Sequence, residues 1–561
     1  MCQQDFQHAQ HVENQIFASL SLREKNTLFN GLNQNDQITE SPSDGRRQSN
    51  QSNQLNQSNQ LKNLRRSIQL LLLAAIPLVF QHCRQDKTDE AVARRYCGSC
   101  HLFPEPSLLP KQNWEKGVLP AMMPLLGLIY DRNNPYGSLS MDEVMYLEGA
   151  HYFPDQPVLS ESEWEQIKAF YQQNAPDSLP QPEGRQPIRD LETRFEFKPV
   201  TGLTRLPSTT LVKYFPEEKR IVTGFQDGTV LMLDDQFRRR DSLRFASAVS
   251  DVVRQDGRWY FSEMGRLNPS DIFKGAVWSF AGDFTDKTQL TDKLNRPAEI
   301  QWADITGDRK PELILCEFGH QLGSFSWFGN EGRDRHTLIN VPGARTAKVT
   351  DLDGDGLQDL VVLFAQGNEC VRWFRNEGDG NFSQQELLRF PSVHGSSYLE
   401  LADMNNDGYD DIIIANGDNA DYSVVFKPWH GVTIYLNDGN RHFTQAWFYP
   451  MNGASKTLTR DFDGDGDPDI AAMSFFPDLQ RVPEESFLYF ENRGNLRFDV
   501  YGSPKTAVGR WLVMDAADLN ADGKEDLLLG SCVTAMRLAG TEVYAREWVD
   551  GNVSVLGLIG R

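Results

Sequence analysis

Five acidic nine-residue segments recur along this chain. They are DITGDRKPE from Asp304, DLDGDGLQD from Asp351, DMNNDGYDD from Asp403, DFDGDGDPD from Asp461 and DLNADGKED from Asp518. Their starts lie 47, 52, 58 and 57 residues apart, and each runs directly into an apolar stretch: LILC, LVVL, IIIA, IAAM and LLLG. Self-similarity at this period marks one supersecondary unit repeated, with a continuous core buried between neighbouring copies.

The segments have the donor pattern a hard cation needs. Oxygens at positions 1, 3, 5 and 9, with a backbone carbonyl at 7 and glycine at 6 for the tight turn, suit calcium, which takes six to eight oxygen ligands. The candidate ligands are Asp304, Thr306, Asp308 and Glu312; Asp351, Asp353, Asp355 and Asp359; Asp403, Asn405, Asp407 and Asp411; Asp461, Asp463, Asp465 and Asp469; and Asp518, Asn520, Asp522 and Asp526. The first loop departs most, with Thr306 at position 3 and Arg309 at position 6. An EF-hand is excluded, because it requires a bidentate Glu at position 12. Here that position is Leu315, Val362, Ile414, Ala472 and Leu529. A solvated Asp/Gly turn would explain one such loop but not five in register.

A second element alternates with the first: WFGNEG from Trp327, WFRNEGDGNF from Trp373, YLNDGNRHF from Tyr435 and YFENRGNLRF from Tyr489. An aromatic strand, an Asn–Gly type turn and a strand ending in Phe read as a hairpin. Loop, strand, hairpin and strand make a four-stranded antiparallel unit of propeller-blade size. These units resemble FG-GAP/VCBS repeats, the family of the integrin α-subunit propeller. The resemblance implies a seven-bladed β-propeller with calcium in loops on one rim. Two ligand-free blades are expected upstream, one from about Thr209 through RIVTGFQDGTVLMLD and one including SDVVRQDGRWYFSEMG and GAVWSF. The C-terminal VSVLGLIG from Val553 is expected to complete the first blade. Cys316, Cys370 and Cys532 fall in or beside strands of different blades and read as buried thiols.

The N-terminal part differs in composition. Residues 1–60 are polar, with QSNQSNQLNQSNQL from Gln48, and read as a disordered extension. Lys62, Arg65 and Arg66 then precede an apolar run from Leu70 to Phe80, the dimensions of a secretory signal in residues 61–83. Translation is expected to start near residue 61. Cys83, in VFQHC, resembles the lipid-bearing cysteine of a bacterial lipoprotein, although His82 replaces the usual small residue; lipidation and plain cleavage both remain open.

Cys97-Gly98-Ser99-Cys100-His101 is a CxxCH motif. Two thiols attack the haem vinyl groups, and the adjacent histidine reaches the iron. No strand precedes the motif, as a thioredoxin-like site requires, and no second Cys or His pair completes a zinc site. The segment resembles a small class I cytochrome c module over residues 84–178, with RRYCGSCHLFP at the start of the attachment helix. SESEWEQIKAFYQQNAP would close it, with a Ser160–Glu163 capping box and Trp164, Ile167, Phe170 and Tyr171 on one face. Such modules take a methionine as the sixth ligand. Met122 in VLPAMMP is favoured, with Met123 next and His151 as a further candidate. Met141 and Met145, four apart, are expected to pack in the core.

The expected architecture is mostly β: a small all-α cytochrome c-like domain over 84–178, a linker over 179–200 and the propeller over 201–561. Net charge is −22, which argues against nucleic-acid binding. The five loops hold 20 of the 78 acidic residues, so much of that charge belongs to metal sites. The expected cofactors are haem c and calcium, at the envelope or surface of a bacterium. The expected role is electron transfer, with the propeller docking a redox partner protein or a surface glycan. A propeller dehydrogenase with fused cytochrome c and an adhesion protein are the alternatives. No Ser–His–Asp elbow, HExxH motif or phosphate-binding glycine loop is present.

Overall fold

The structure is a computed structural model that describes residues 88–130, 133–182, 185–420, 423–534 and 542–561. The extension at 1–60, the signal segment at 61–83 and Cys83 lie outside the described residues. The chain divides at Val92, and the second unit is Ala93–Arg561. The second holds both the helical segment and the propeller.

Seven antiparallel sheets make the propeller. Blades 1 to 6 span 209–244, 249–294, 297–339, 344–389, 396–450 and 454–502. Blade 7 takes three strands from 511–560 and its outermost strand, Phe195–Thr201, from the start of the propeller. That strand pairs antiparallel with Val553–Gly560, with Phe197 opposite Leu558. The C-terminal strand therefore lies third in the last blade and does not complete the first; an early strand closes the ring. The segment 179–200, expected as a linker, carries this strand's start and Ile188–Asp190, which pairs parallel with the outer strand of blade 6.

Burial explains the strand sequences. The second strand of each of blades 3 to 7 is buried at every position, so it reads as a continuous apolar run. The fourth strand of blade 3, Asp334–Ile339, faces solvent and is polar, whereas that of blade 6, Phe498–Gly502, is covered by Ile188–Asp190 and is mostly buried. Every first strand shifts register near its start, from Thr209/Leu211 in blade 1 to Trp511/Val513 in blade 7. Seven equivalent bulges increase twist and re-aim side chains.

Charged side chains of these first strands join the blades to one another. Lys213 Nζ lies 3.2 Å from Asp251 Oδ1, and Lys348 Nζ lies 3.1 Å from Glu400 Oε1. Asp251 accepts from the Ile300 amide, Glu299 from the Ala347 amide and Asp515 from the Tyr214 amide. Lys456 lies over the Tyr398 ring and donates to the Met514 carbonyl. All seven junctions are bridged. Burial opposes the charge on Lys213, but Asp251, Asp515 and Glu299 outweigh it and hold its pKa above the ordinary lysine value.

Strand alternation places the acidic loops, between first and second strands, on one face together with the hairpins. Second-to-third strand loops lie on the opposite face. There Leu267 of blade 2 packs against Phe475 and Phe476 of blade 6 and Cys532 of blade 7. The Arg510 guanidinium stacks 3.7 Å over Phe475, and burial holds its pKa down to about 10. These contacts join blades 2, 6 and 7 on that face. The helix Met141–Gly149 docks on the same face. Ser270 Oγ donates to Glu143 Oε1 at 2.6 Å, and Tyr146 meets Phe273 at 4.6 Å between ring centroids.

In blade 5 the His430 ring is buried with neither nitrogen hydrogen-bonded. Burial, then Lys427 and His394, depress its pKa well below the ordinary value. The unfolded chain protonates below about pH 6.5, whereas the folded chain does not. This contribution to stability is complete above that pH and falls as pH drops. His430→Leu is therefore expected to raise the melting temperature more at pH 5 than at pH 8. An equal change at both pH values would refute the assignment.

Candidate functional site

The CxxCH segment ends a helix, 88–97, and does not begin one. Gly98 closes the last turn with its amide on the Arg94 carbonyl, and a Cβ there would meet that oxygen at 2.7 Å. Cys97 is half-buried beside Tyr171, and burial pushes its thiol up to about 11. Cys100 is exposed. The His101 Nδ1 lies 2.9 Å from the Leu102 carbonyl. A proton assigned to Nδ1 for that bond leaves Nε2 as the ligating nitrogen, the usual arrangement of a ligand histidine.

The closing helix, Glu161–Asn174, has the expected capping box and buries Trp164, Ile167, Phe170 and Tyr171. A second capping box, Ser140–Glu143, starts the docking helix. The sixth-ligand candidates are less well gathered. Met123 lines a groove of about 590 Å³ with Leu119, Tyr130, Trp164 and Lys168, and Cys97, Cys100 and His101 do not line it. Met122 is half-buried next to it, and His151 is exposed. Met141 and Met145, expected in the core, are 74% and 65% exposed, because the docking helix turns Glu143 and Leu147 inward.

The acidic loops share one self-organised frame. The position-1 carboxylate accepts amides from inside its own loop: Asp351 from Asp355 and Gly356, Asp403 from Asp407 and Gly408, and Asp518 from Asp522 and Gly523. The position-9 carboxylate is fully buried in four loops, at Asp359, Asp411, Asp469 and Asp526. One of its oxygens takes the position-2 amide; the other takes an amide at the end of a neighbouring strand. Asp469 shows the cost, since burial pushes its pKa up to about 7.

Among the described residues, two carboxylate trios could hold an ion, Asp351–Asp353–Asp359 and Asp461–Asp463–Asp469, each with ligand atoms within 4.8 Å of one another. They join positions 1, 3 and 9. The donors fit a hard cation: Asp353 Oδ1 is buried and has no hydrogen-bond partner. Asp355 and Asp465, at position 5, lie outside the trios.

Residues 351–414 match the FG-GAP-like repeat. This span runs from the blade 4 loop through most of the second strand of blade 5. Over 142 residues the chain is 27% identical to integrin alpha-4 of Xenopus laevis, covering 23% of this chain and 14% of that protein. The chain thus spans a small part of that relative's length. Similar solved structures include the Neurospora crassa Pan2 WD40 domain (TM-score 0.38, 10% identity, 63% of this chain and 89% of that one). Another is Saccharomyces cerevisiae Sqt1 (TM-score 0.37, 10% identity, 63% and 84%).

The FG-GAP-like loops differ in detail. In four of them the position-6 glycine is left-handed, with φ from 85° to 95° at Gly356, Gly408, Gly466 and Gly523. Arg309 adopts the same conformation at 68°, which strains a residue with a Cβ. In that loop Glu312 takes over the position-9 role, accepting from the Ile305 and Thr306 amides. Asn405 and Asn520 each donate Nδ2 to the position-5 carboxylate, at 2.8 and 3.0 Å. Arg375, which the ligand pattern does not mark, bonds directly to two candidate ligands of the blade 4 loop. Its only signal in the sequence is a basic residue inside WFRNEG.

Proposed function

We propose that this chain is an exported docking protein whose propeller is held by calcium and whose helical module carries a covalent haem c for electron transfer. The carrying observation is the division of the molecule. Convergent carboxylates occupy one face of the propeller, and the CxxCH module packs through its own helix on the other. Cys97 and Cys100 would hold the haem and His101 would ligate its iron. When bound, haem supplies one-electron chemistry. The chain's own part is to orient His101 through the Leu102 carbonyl and to seat the module on that face through Glu143 and Tyr146. The loops would hold calcium through positions 1, 3 and 9, with Asp355 and Asp465 adding oxygens. An FG-GAP-like repeat suits docking of a protein or glycan, and it suits a location outside the cytoplasm. Among the described residues no helix is long and apolar enough to cross a membrane.

The test has two readouts on the full chain from a host that matures c-type cytochromes. Haem staining with a reduced-minus-oxidised spectrum is expected to show covalent haem, and no haem band would refute that half. EGTA is expected to lower the melting temperature, because an ion that binds only the native state stabilises it. An unchanged melt with and without calcium would refute the other half. Haem reduction by an added sugar or alcohol, without a protein donor, would favour the dehydrogenase.

A further inference from the structure

We infer that Arg375 is a built-in counter-cation of the blade 4 loop, which calcium must displace, so that this loop binds the ion more weakly than its counterpart in blade 6. The inference rests on the calcium reading above and concerns the difference between the two loops.

Two loops have the same carboxylate trio but different cations beside it. In blade 4, Arg375 Nε lies 2.6 Å from Asp353 Oδ2, its Nη2 lies 2.8 Å from Asp355 Oδ2 and its Nη1 lies 3.0 Å from Glu377 Oε2. The guanidinium thus spans positions 3 and 5 of the loop with its fork, a geometry a carboxylate pair binds well. Asp353 is only 10% exposed, and its second oxygen, Oδ1, is buried without a partner beside Asp351 and Asp359. One oxygen of this ligand is therefore taken by arginine while the other remains directed at the trio.

In blade 6 the nearest arginine is drawn elsewhere. Arg493 lies 2.8 Å from Glu491 Oε1 and 3.0 Å from Asp499 Oδ2, but 3.9 Å from Asp463. Glu491 and Asp499 hold it back from the trio. Where blade 4 has Arg375, blade 5 has Leu436, blade 6 Glu491 and blade 7 Ile559, each immediately before the residue whose amide reaches the position-9 carboxylate. Among these four loops an arginine bonded to two ligands is thus particular to blade 4. A unit charge in contact with two ligand carboxylates opposes a second cation at the same oxygens, and partial exposure screens the effect.

Calcium titration calorimetry on the full chain tests this, with Arg375→Gln, Arg375→Lys and the double variant Arg375→Gln/Asp351→Asn. Arg375→Gln is expected to tighten one class of sites on the order of tenfold, the double variant to abolish that class, and Arg375→Lys, which keeps charge but lacks the fork, to fall between. In EGTA, Arg375→Gln is expected to melt below the parent and to gain more from added calcium. Unchanged or weaker binding in Arg375→Gln would overturn the inference while leaving the calcium reading intact. Absence of calcium heat in every protein, parent included, would overturn both. If Arg375→Gln does not fold in EGTA, Arg375→Lys decides: binding no tighter than the parent's overturns the inference.

Discussion

Replacing Asp469 by alanine is expected to destabilise the protein by about 3–5 kcal/mol, with or without calcium. Its Oδ2 accepts from the Phe462 amide at 3.1 Å and from the Tyr489 hydroxyl at 2.6 Å, and its Oδ1 from the Asn492 amide at 2.7 Å. Truncation strands three donors around a fully buried position, and each unsatisfied buried donor costs about 1–3 kcal/mol. The raised pKa of Asp469 reduces the loss at neutral pH, which keeps the expected total below the sum of three full penalties. Asp465→Asn is the contrast. Asp465 is exposed and accepts one amide, that of Asp467 in its own loop, so this change should leave stability in EGTA within about 0.5 kcal/mol and reduce only the gain from calcium. Denaturant melts of both variants, with calcium and with EGTA, provide the comparison. An Asp469→Ala protein within 1 kcal/mol of the parent in EGTA would show that this carboxylate is a ligand alone and not a structural staple.

A disulfide across the ring closure is expected to stabilise by about 2–4 kcal/mol. Lys198 and Gly557 are register partners in blade 7, and a Cβ built on Gly557 would lie 3.6 Å from Lys198 Cβ, within the range of disulfides. The Phe237 ring edge, 3.2 Å from that new Cβ, must give slightly. Lys198→Cys with Gly557→Cys ties the two ends of the propeller, so the gain comes from restricting a very long loop in the unfolded chain. The oxidised protein should melt above its own reduced form, and the parent should show no such difference. Equal melting of the oxidised and reduced double variant would mean that ring opening at blade 7 does not limit stability.

Much of the propeller is legible in the residues. The five DxDxDG-type loops and the apolar runs after them mark five blades, because position-1 and position-9 carboxylates make their hydrogen bonds within nine residues or to the adjoining strand. Blades 1 and 2 have no such loops and show only in strand pattern, yet they lie where Thr209 and Ser250 place them. The helical segment is legible in part. Ser160 and Glu163 cap the closing helix as their spacing predicts. The CxxCH motif ends its helix instead of starting it, and Met141 and Met145 face outward because Glu143 and Leu147 take the inward positions. A helical period shows that one face is buried but does not say which, when Met and Glu alternate on a short helix.

By itself, then, the sequence determined the repeating unit, the acidic loops and their shared turn, all of which depend on contacts a few residues apart. Tertiary structure decided three other things. The strand Phe195–Thr201 closes the ring because the third strand of blade 7 needs a partner, and this strand supplies it from the start of the propeller. Lys213, Asp251, Glu299, Lys348, Glu400, Lys456 and Asp515 link the blades because the ring sets the first strands of neighbouring blades side by side, within reach of one another's charged side chains. Arg375 reaches the ligands of its own blade because the hairpin returns its strand beside the loop. Each of these joins residues from about twenty to more than three hundred positions apart, and no local pattern of apolar and polar residues encodes such a meeting.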